Sequence, residues 1–171
     1  MAGLTFQMFD IDRVEVLRGP QGTLYGRNAT GGLVHYVTKR PSSDFETYGD
    51  LTLGSYSQVK FEGAVGGGTE TVMGRLSVAA NKHDGYVDNR VGEDPNDADN
   101  LAVRGQVLFV LTEEWSLLLN GHYSDSDALA AAYQHQGTAG DGFDYFGYSD
   151  TDNDPWAGDY DRSGRVYVKS D

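Results

Sequence analysis

The chain has no cysteine among its 171 residues. That excludes a disulfide framework and any thiolate metal site. No stretch approaches the roughly 20 consecutive apolar residues a membrane-spanning helix needs. If a protein of this composition crosses a bilayer, it must do so with strands. Met1 to Phe6 shows neither the basic start nor the long apolar run of a secretory leader. Basic residues are also scarce: 13 Lys and Arg against 26 Asp and Glu, a formal charge of −13. Phosphate binding needs a basic face, so nucleic acid is excluded as a partner.

The charge is unevenly placed. Residues 1–41 hold five basic and three acidic groups, a net +2, which leaves −15 for residues 42–171. The change in character near residue 41 predicts a domain boundary there. One region spans residues 1–41 and a second spans 42–171.

In the first region, Val14-Glu15-Val16-Leu17 reads as a short strand, broken by Arg18-Gly19-Pro20. Pro20 suits the start of a helix, where its missing N–H costs nothing. Gln21 to Tyr25 then form one or two helical turns, with Gly26 as the left-handed stop. Asn28, Gly31 and Gly32 are turn residues. Leu33 to Thr38 is a second strand, closed by Pro41.

In the second region the period becomes two. Val59, Phe61, Gly63 and Val65 oppose Lys60, Glu62 and Ala64. Val72, Gly74, Leu76, Val78 and Ala80 oppose Met73, Arg75, Ser77, Ala79 and Asn81. Leu101 to Leu111 and Trp115 to Ser124 repeat the pattern, and Thr47 to Ser55 shows it more weakly. Arg165 to Lys169 can begin a sixth strand. Segments of nine to twelve residues match tilted strands that cross a bilayer. A soluble sandwich alternates in the same way. The connections separate the two. Gly66–Glu70 and Thr112–Glu114 are short, whereas the stretches after Asp84 and Asp125 are long. Short turns on one side and long loops on the other are the outer-membrane pattern.

Three blocks carry a family resemblance: VEVLRGP at 14–20, LYGRNATGG at 24–32 and VTKRP at 37–41. Together they resemble the C-terminal end of the plug domain of TonB-dependent outer-membrane receptors. The resemblance picks out Arg13, Glu15, Arg18, Gly19, Pro20, Leu24, Tyr25, Gly26, Arg27, Asn28, Gly31 and Gly32 as plug signature. It implies a mainly β fold: a partial antiparallel transmembrane barrel of five to six strands after the end of an α+β plug. It implies active uptake of a scarce nutrient, above all an iron–siderophore complex, across the outer membrane of a Gram-negative bacterium. The implied partners are a TonB-type energy-coupling complex, reached through a region this chain lacks, and outer-membrane lipid. It also implies that Arg18 is a plug–barrel lock, because plug arginines in such receptors pair with glutamates on the inner wall. Six strands are too few to close a membrane barrel. A piece of this length is therefore expected neither to transport nor to fold stably in a membrane alone.

Other features carry less. The glycines between 19 and 32 lack the spacing of a phosphate loop. Asn28-Ala29-Thr30 fits a glycosylation acceptor, a match expected by chance. His35, His83, His122 and His135 lack the spacing of a helical zinc site. No catalytic constellation or cofactor site is legible, so an enzyme is not expected. Residues 125–161 hold nine aspartates and no Lys or Arg. Within them Asp150, Asp152 and Asp154 resemble the start of a calcium loop, but Pro155 stands where such a loop turns on glycine. Tyr145, Tyr148 and Trp156 are candidates to line a ligand entrance. The rival reading is an acidic soluble or surface β-domain that binds calcium or carbohydrate. A non-transporting anchor or adhesion barrel is a further rival, although it would have no use for the plug motif.

Overall fold

The computed structural model describes residues 8–26, 29–129, 154, 156–158 and 165–170. A small hairpin comes first. Strand β1 (Ile11–Arg18) pairs antiparallel with β2 (Gly32–Thr38), and the single turn α1 (Gly22–Tyr25) lies between them. Gly26 has a positive φ of 91°, but its ψ of 169° is extended, so it ends the turn without the expected left-handed cap. Gly32 needs glycine for two reasons. Its φ is +134°, and a Cβ there would sit 2.5 Å from the Leu17 carbonyl oxygen.

A six-stranded antiparallel sheet follows: β3 (Glu46–Leu53), β4 (Val59–Gly68), β5 (Val72–His83), β7 (Ala98–Val110), β8 (Ser116–Leu129) and β10 (Arg165–Ser170). Each strand lies beside its neighbour in the chain, the arrangement that short antiparallel turns produce. The sheet is an open meander with β3 and β10 at its edges. Tight turns close β4–β5 and β7–β8 at one end: the Thr69 amide bonds the Val72 carbonyl at 2.8 Å, and the Leu111 amide bonds the Trp115 carbonyl at 2.9 Å. The long connections leave from the other end. One of them carries β6 (Asp88–Asn89), which pairs in parallel with β9 (Ala157–Gly158). That cross-loop pairing had no signal in the sequence. β7 and β8 also run further than their apolar alternation suggests, because backbone pairing continues through Asp99–Asp127.

The two faces of the sheet differ sharply. Cross-strand register puts Leu51, Phe61, Val65, Leu76, Val103, Val107 and Leu119 on one side. This side is apolar yet uncovered, with Leu51 at 63 %, Leu76 at 53 % and Leu119 at 53 % exposure. The opposite side carries Glu46, Glu62, Arg75, Ser77, Arg104, Gln106 and His122. The cluster of buried apolar side chains lies on that polar side and is small: Phe9, Ala79 and Ala102. A water-soluble sheet would bury its apolar side and leave its polar side in solvent. This chain does the reverse. The apolar sides are not stacked into a sandwich, and what packs on the polar side is the segment that leads into β1.

Candidate functional site: the plug neck on the sheet wall

The residues that meet the wall are Phe9 and Asp10, immediately before β1. Asp10 has a left-handed backbone (φ 52°), and the ladder shifts register between Ile11 and Arg13. Such an irregularity re-aims side chains at the end of a strand. Here it turns the Asp10 carboxylate away from the hairpin and onto the wall.

The wall receives it through strand geometry. Arg75 and Ser77 are two residues apart on β5, so they share a face. Arg104 on β7 lies directly opposite Ser77. Arg75 grips Asp10 with two parallel bonds, Nε to Oδ2 at 2.7 Å and Nη2 to Oδ1 at 2.5 Å. The Ser77 hydroxyl donates to Oδ2 as well. The Asp10 amide donates to Glu62 Oε1 at 3.2 Å, and its carbonyl accepts from the Lys39 amide at 3.0 Å. The polar groups of Asp10 are thus satisfied, which a buried charge requires.

Phe9 is clamped beside it. The Arg104 guanidinium lies 4.4 Å from the Phe9 ring centroid, and its Nη1 donates to the Phe9 carbonyl at 3.1 Å. The His122 ring also stacks with Phe9, with centroids 6.4 Å apart. Glu46 extends the network outward, accepting from Arg75 Nη1 at 3.2 Å and from Lys39 Nζ at 2.9 Å. Gln106 Nε2 reaches Thr38 Oγ1 at 3.4 Å. Both ends of the hairpin, Phe9–Asp10 and Thr38–Lys39, are therefore held at one neck.

Burial works to raise the Asp10 pKa. The hydrogen bonds from Arg75 and Ser77, with the charges of Arg75 and Arg104, outweigh it and hold the carboxyl below its ordinary value. In the hairpin, hydrogen bonds from Arg13 and then His35 hold Glu15 below the usual carboxylate range.

The predicted residues fall in three places. Arg13 and Glu15 form an exposed pair at 2.7 Å, joined by His35 at 3.2 Å. Arg18, Leu24 and Tyr25 are exposed, and Gly19, Pro20, Gly26, Gly31 and Gly32 shape the turn region. Arg18 makes no ion pair among the described residues. Arg27, Asn28, Tyr145, Tyr148, Asp150 and Asp152 lie outside the described residues. Asp154 accepts from the Trp156 amide at 2.9 Å. Trp156 packs edge-on against Tyr86, which also meets Tyr56 and His83 at the loop end of the sheet. The clasp itself went unread in the sequence. Its available signal was a pair of arginines, Arg75 and Arg104, on the polar sides of neighbouring strands, which need a carboxylate. That carboxylate comes from the region whose net charge is positive.

The family model described as TonB-dependent Receptor Plug Domain matches residues 2–33. The ferric aerobactin receptor of Klebsiella pneumoniae is 41 % identical over 88 residues, which cover 47 % of this chain and 12 % of that protein. The vitamin B12 transporter of Vibrio vulnificus is 29 % identical over 128 residues, covering 70 % of this chain and 20 % of that protein. The solved pyoverdine outer membrane receptor of Pseudomonas aeruginosa, bound to pyoverdine, superposes with a TM-score of 0.65 at 26 % identity. That match covers 77 % of this chain and 19 % of the receptor. The chain thus spans a fifth or less of the length of these relatives, which are receptors and transporters rather than enzymes. Plug match, relatives and fold agree: residues 2–33 match the plug family, and the chain as a whole is similar to part of TonB-dependent receptors, with a sheet that does not close into a barrel among the described residues.

Proposed function

We propose that this chain is the plug neck and part of the wall of an outer-membrane importer that takes up a scarce nutrient as an iron–siderophore complex. The observation that carries the reading is the inverted sheet. Its apolar side is continuous and uncovered, while its polar side holds Phe9 and Asp10. An apolar face of this kind suits lipid, and a polar face suits the lumen of a barrel. The plug occupies residues 1–41 and the wall residues 42–171. The siderophore class is supported by the aerobactin and pyoverdine receptors among the relatives. Trp156 stands at the loop end, where an incoming ligand would first meet the protein in this reading; Tyr145 and Tyr148 are candidates for the same entrance from the sequence alone.

The source of work in this reading is an inner-membrane complex of the TonB type that acts on the plug. The rival soluble calcium- or carbohydrate-binding domain would need its apolar faces covered by protein, and the described sheet leaves them open.

The test is uptake by the full-length receptor in a Gram-negative host stripped of its own receptors. Ferric aerobactin, ferric pyoverdine and cyanocobalamin serve as labelled probes. Energy-dependent entry of a ferric chelate, abolished by collapsing the proton gradient, is the expected result. Entry of cyanocobalamin alone would move the assignment to another nutrient. Recovery of the protein in the soluble fraction would end it.

A further inference from the structure

We infer that the Phe9–Asp10 neck is a fixed anchor of the plug, one that stays bonded to β5 and β7 throughout import while loosening happens elsewhere. The inference rests on the importer reading and specifies which contact does not move.

The argument is that a releasing lock needs two discrete arrangements of comparable stability. The neck offers one. Arg75 is buried, with 3 % of its side chain exposed, and Asp10 has 2 %. Separating them would break two charge-assisted bonds and leave Arg75 with Glu46 alone. A second carboxylate could stand in for Asp10 only if it were free. Among the described residues near the clasp, Glu46 is already shared by Arg75 and Lys39, and Glu62 is held by the Tyr48 hydroxyl at 3.0 Å and the Asp10 amide. Arg104 is likewise tied to both the carbonyl and the ring of Phe9. Each group is committed to its neighbour, so movement of one requires movement of all.

Among the described residues, the hairpin's hydrogen bonds and ion pairs to the wall all lie near this neck. Its two ends attach through Asp10 and through Thr38 and Lys39, which are adjacent across the β1–β2 ladder. A tether at that point restrains the hairpin without any contact along its length. The polarity is also the reverse of the one expected for Arg18: a plug carboxylate is held by wall arginines. Asp10 is therefore a positioning residue, and it is independent of Arg18.

The test fastens the neck and asks whether import continues. The 171 residues hold no cysteine, so in this region of the full-length receptor a Thr38→Cys/Gln106→Cys pair supplies the reactive thiols. The pair sits at the neck and leaves Asp10, Arg75, Ser77 and Arg104 in place. A short bifunctional thiol reagent with a reducible linker joins the two in living cells. Uptake of ferric aerobactin, ferric pyoverdine and cyanocobalamin is then compared before and after reduction. A fixed anchor predicts uptake within about twofold in the two states, and an equal cross-linking rate with the proton gradient present or collapsed. A fall of about tenfold or more in uptake, restored by reduction, overturns the inference. So does a similar fall in cross-linking rate on energisation. If cross-linking is equal in both conditions but even the unsubstituted receptor admits none of the probes, neck seating stands and the importer reading fails.

Discussion

Asp10 and Arg75 meet through two parallel hydrogen bonds of 2.7 and 2.5 Å, although 65 positions separate them in the chain. The contact joins the plug side of the molecule to the wall. It is a buried, bidentate ion pair with Ser77 as a third partner. A pair of this kind is costly to break from one side only, because the survivor is left charged and desolvated.

Removing one partner should therefore be severe. Asp10→Ala or Arg75→Ala is expected to weaken plug seating by about 3–5 kcal/mol. The double variant should cost less than the two single effects combined, since the orphaned charge is gone. Hydrogen exchange at residues 8–11 in the full-length receptor measures this. Strictly additive losses would refute the pairing.

The same contact sets a pH dependence. The Asp10 carboxyl is held below its ordinary value, so its stabilisation is fully present above the unfolded pKa of about 3.9. It is lost as pH falls below that point and through the lower folded value. Neck seating should be flat from pH 8 to about 5 and fail only in stronger acid. Protease sensitivity near Phe9 as a function of pH reads this out. A transition near neutrality would point to another group.

The two faces should respond oppositely to charge. Leu76→Arg places a cation on the uncovered apolar side of β5, and if that side meets lipid as proposed it should cost about 2–4 kcal/mol in the membrane-folded protein. Asn120→Lys, on the lumen side of β8, should cost little. Urea titration of the receptor in vesicles compares them, and equal costs would argue against a lipid-facing surface.

Adjacent glycines in the plug signature should behave differently. At Gly31 an added Cβ meets nothing within 4 Å, whereas at Gly32 it would lie 2.5 Å from the Leu17 carbonyl oxygen at a φ of +134°. Gly32→Ala should destabilise the hairpin by more than about 1 kcal/mol, and Gly31→Ala should be nearly silent. Hydrogen exchange across β1 and β2 distinguishes them.

Much of the fold was legible because it is local. Alternation along Val72–His83 fixed both the strand and its faces, since side chains in a strand point to opposite sides at every step. The same logic read β4, β7 and β8, though it stopped short of Gly66–Gly68 in β4, missed Ala98–Asn100 at the start of β7 and missed Asp125–Leu129 at the end of β8, where polar side chains hide a ladder kept by backbone bonds. The parallel β6–β9 pairing was illegible. Two-residue strands have no period, and their partners lie some 70 positions apart.

The sequence by itself determined which sides of the strands are greasy, where the tight turns fall and which motif opens the chain, because these depend on near neighbours. Only the tertiary structure decided that Asp10 meets Arg75. Burial of a charge is settled by what surrounds it, and those surroundings come from strands far along the chain.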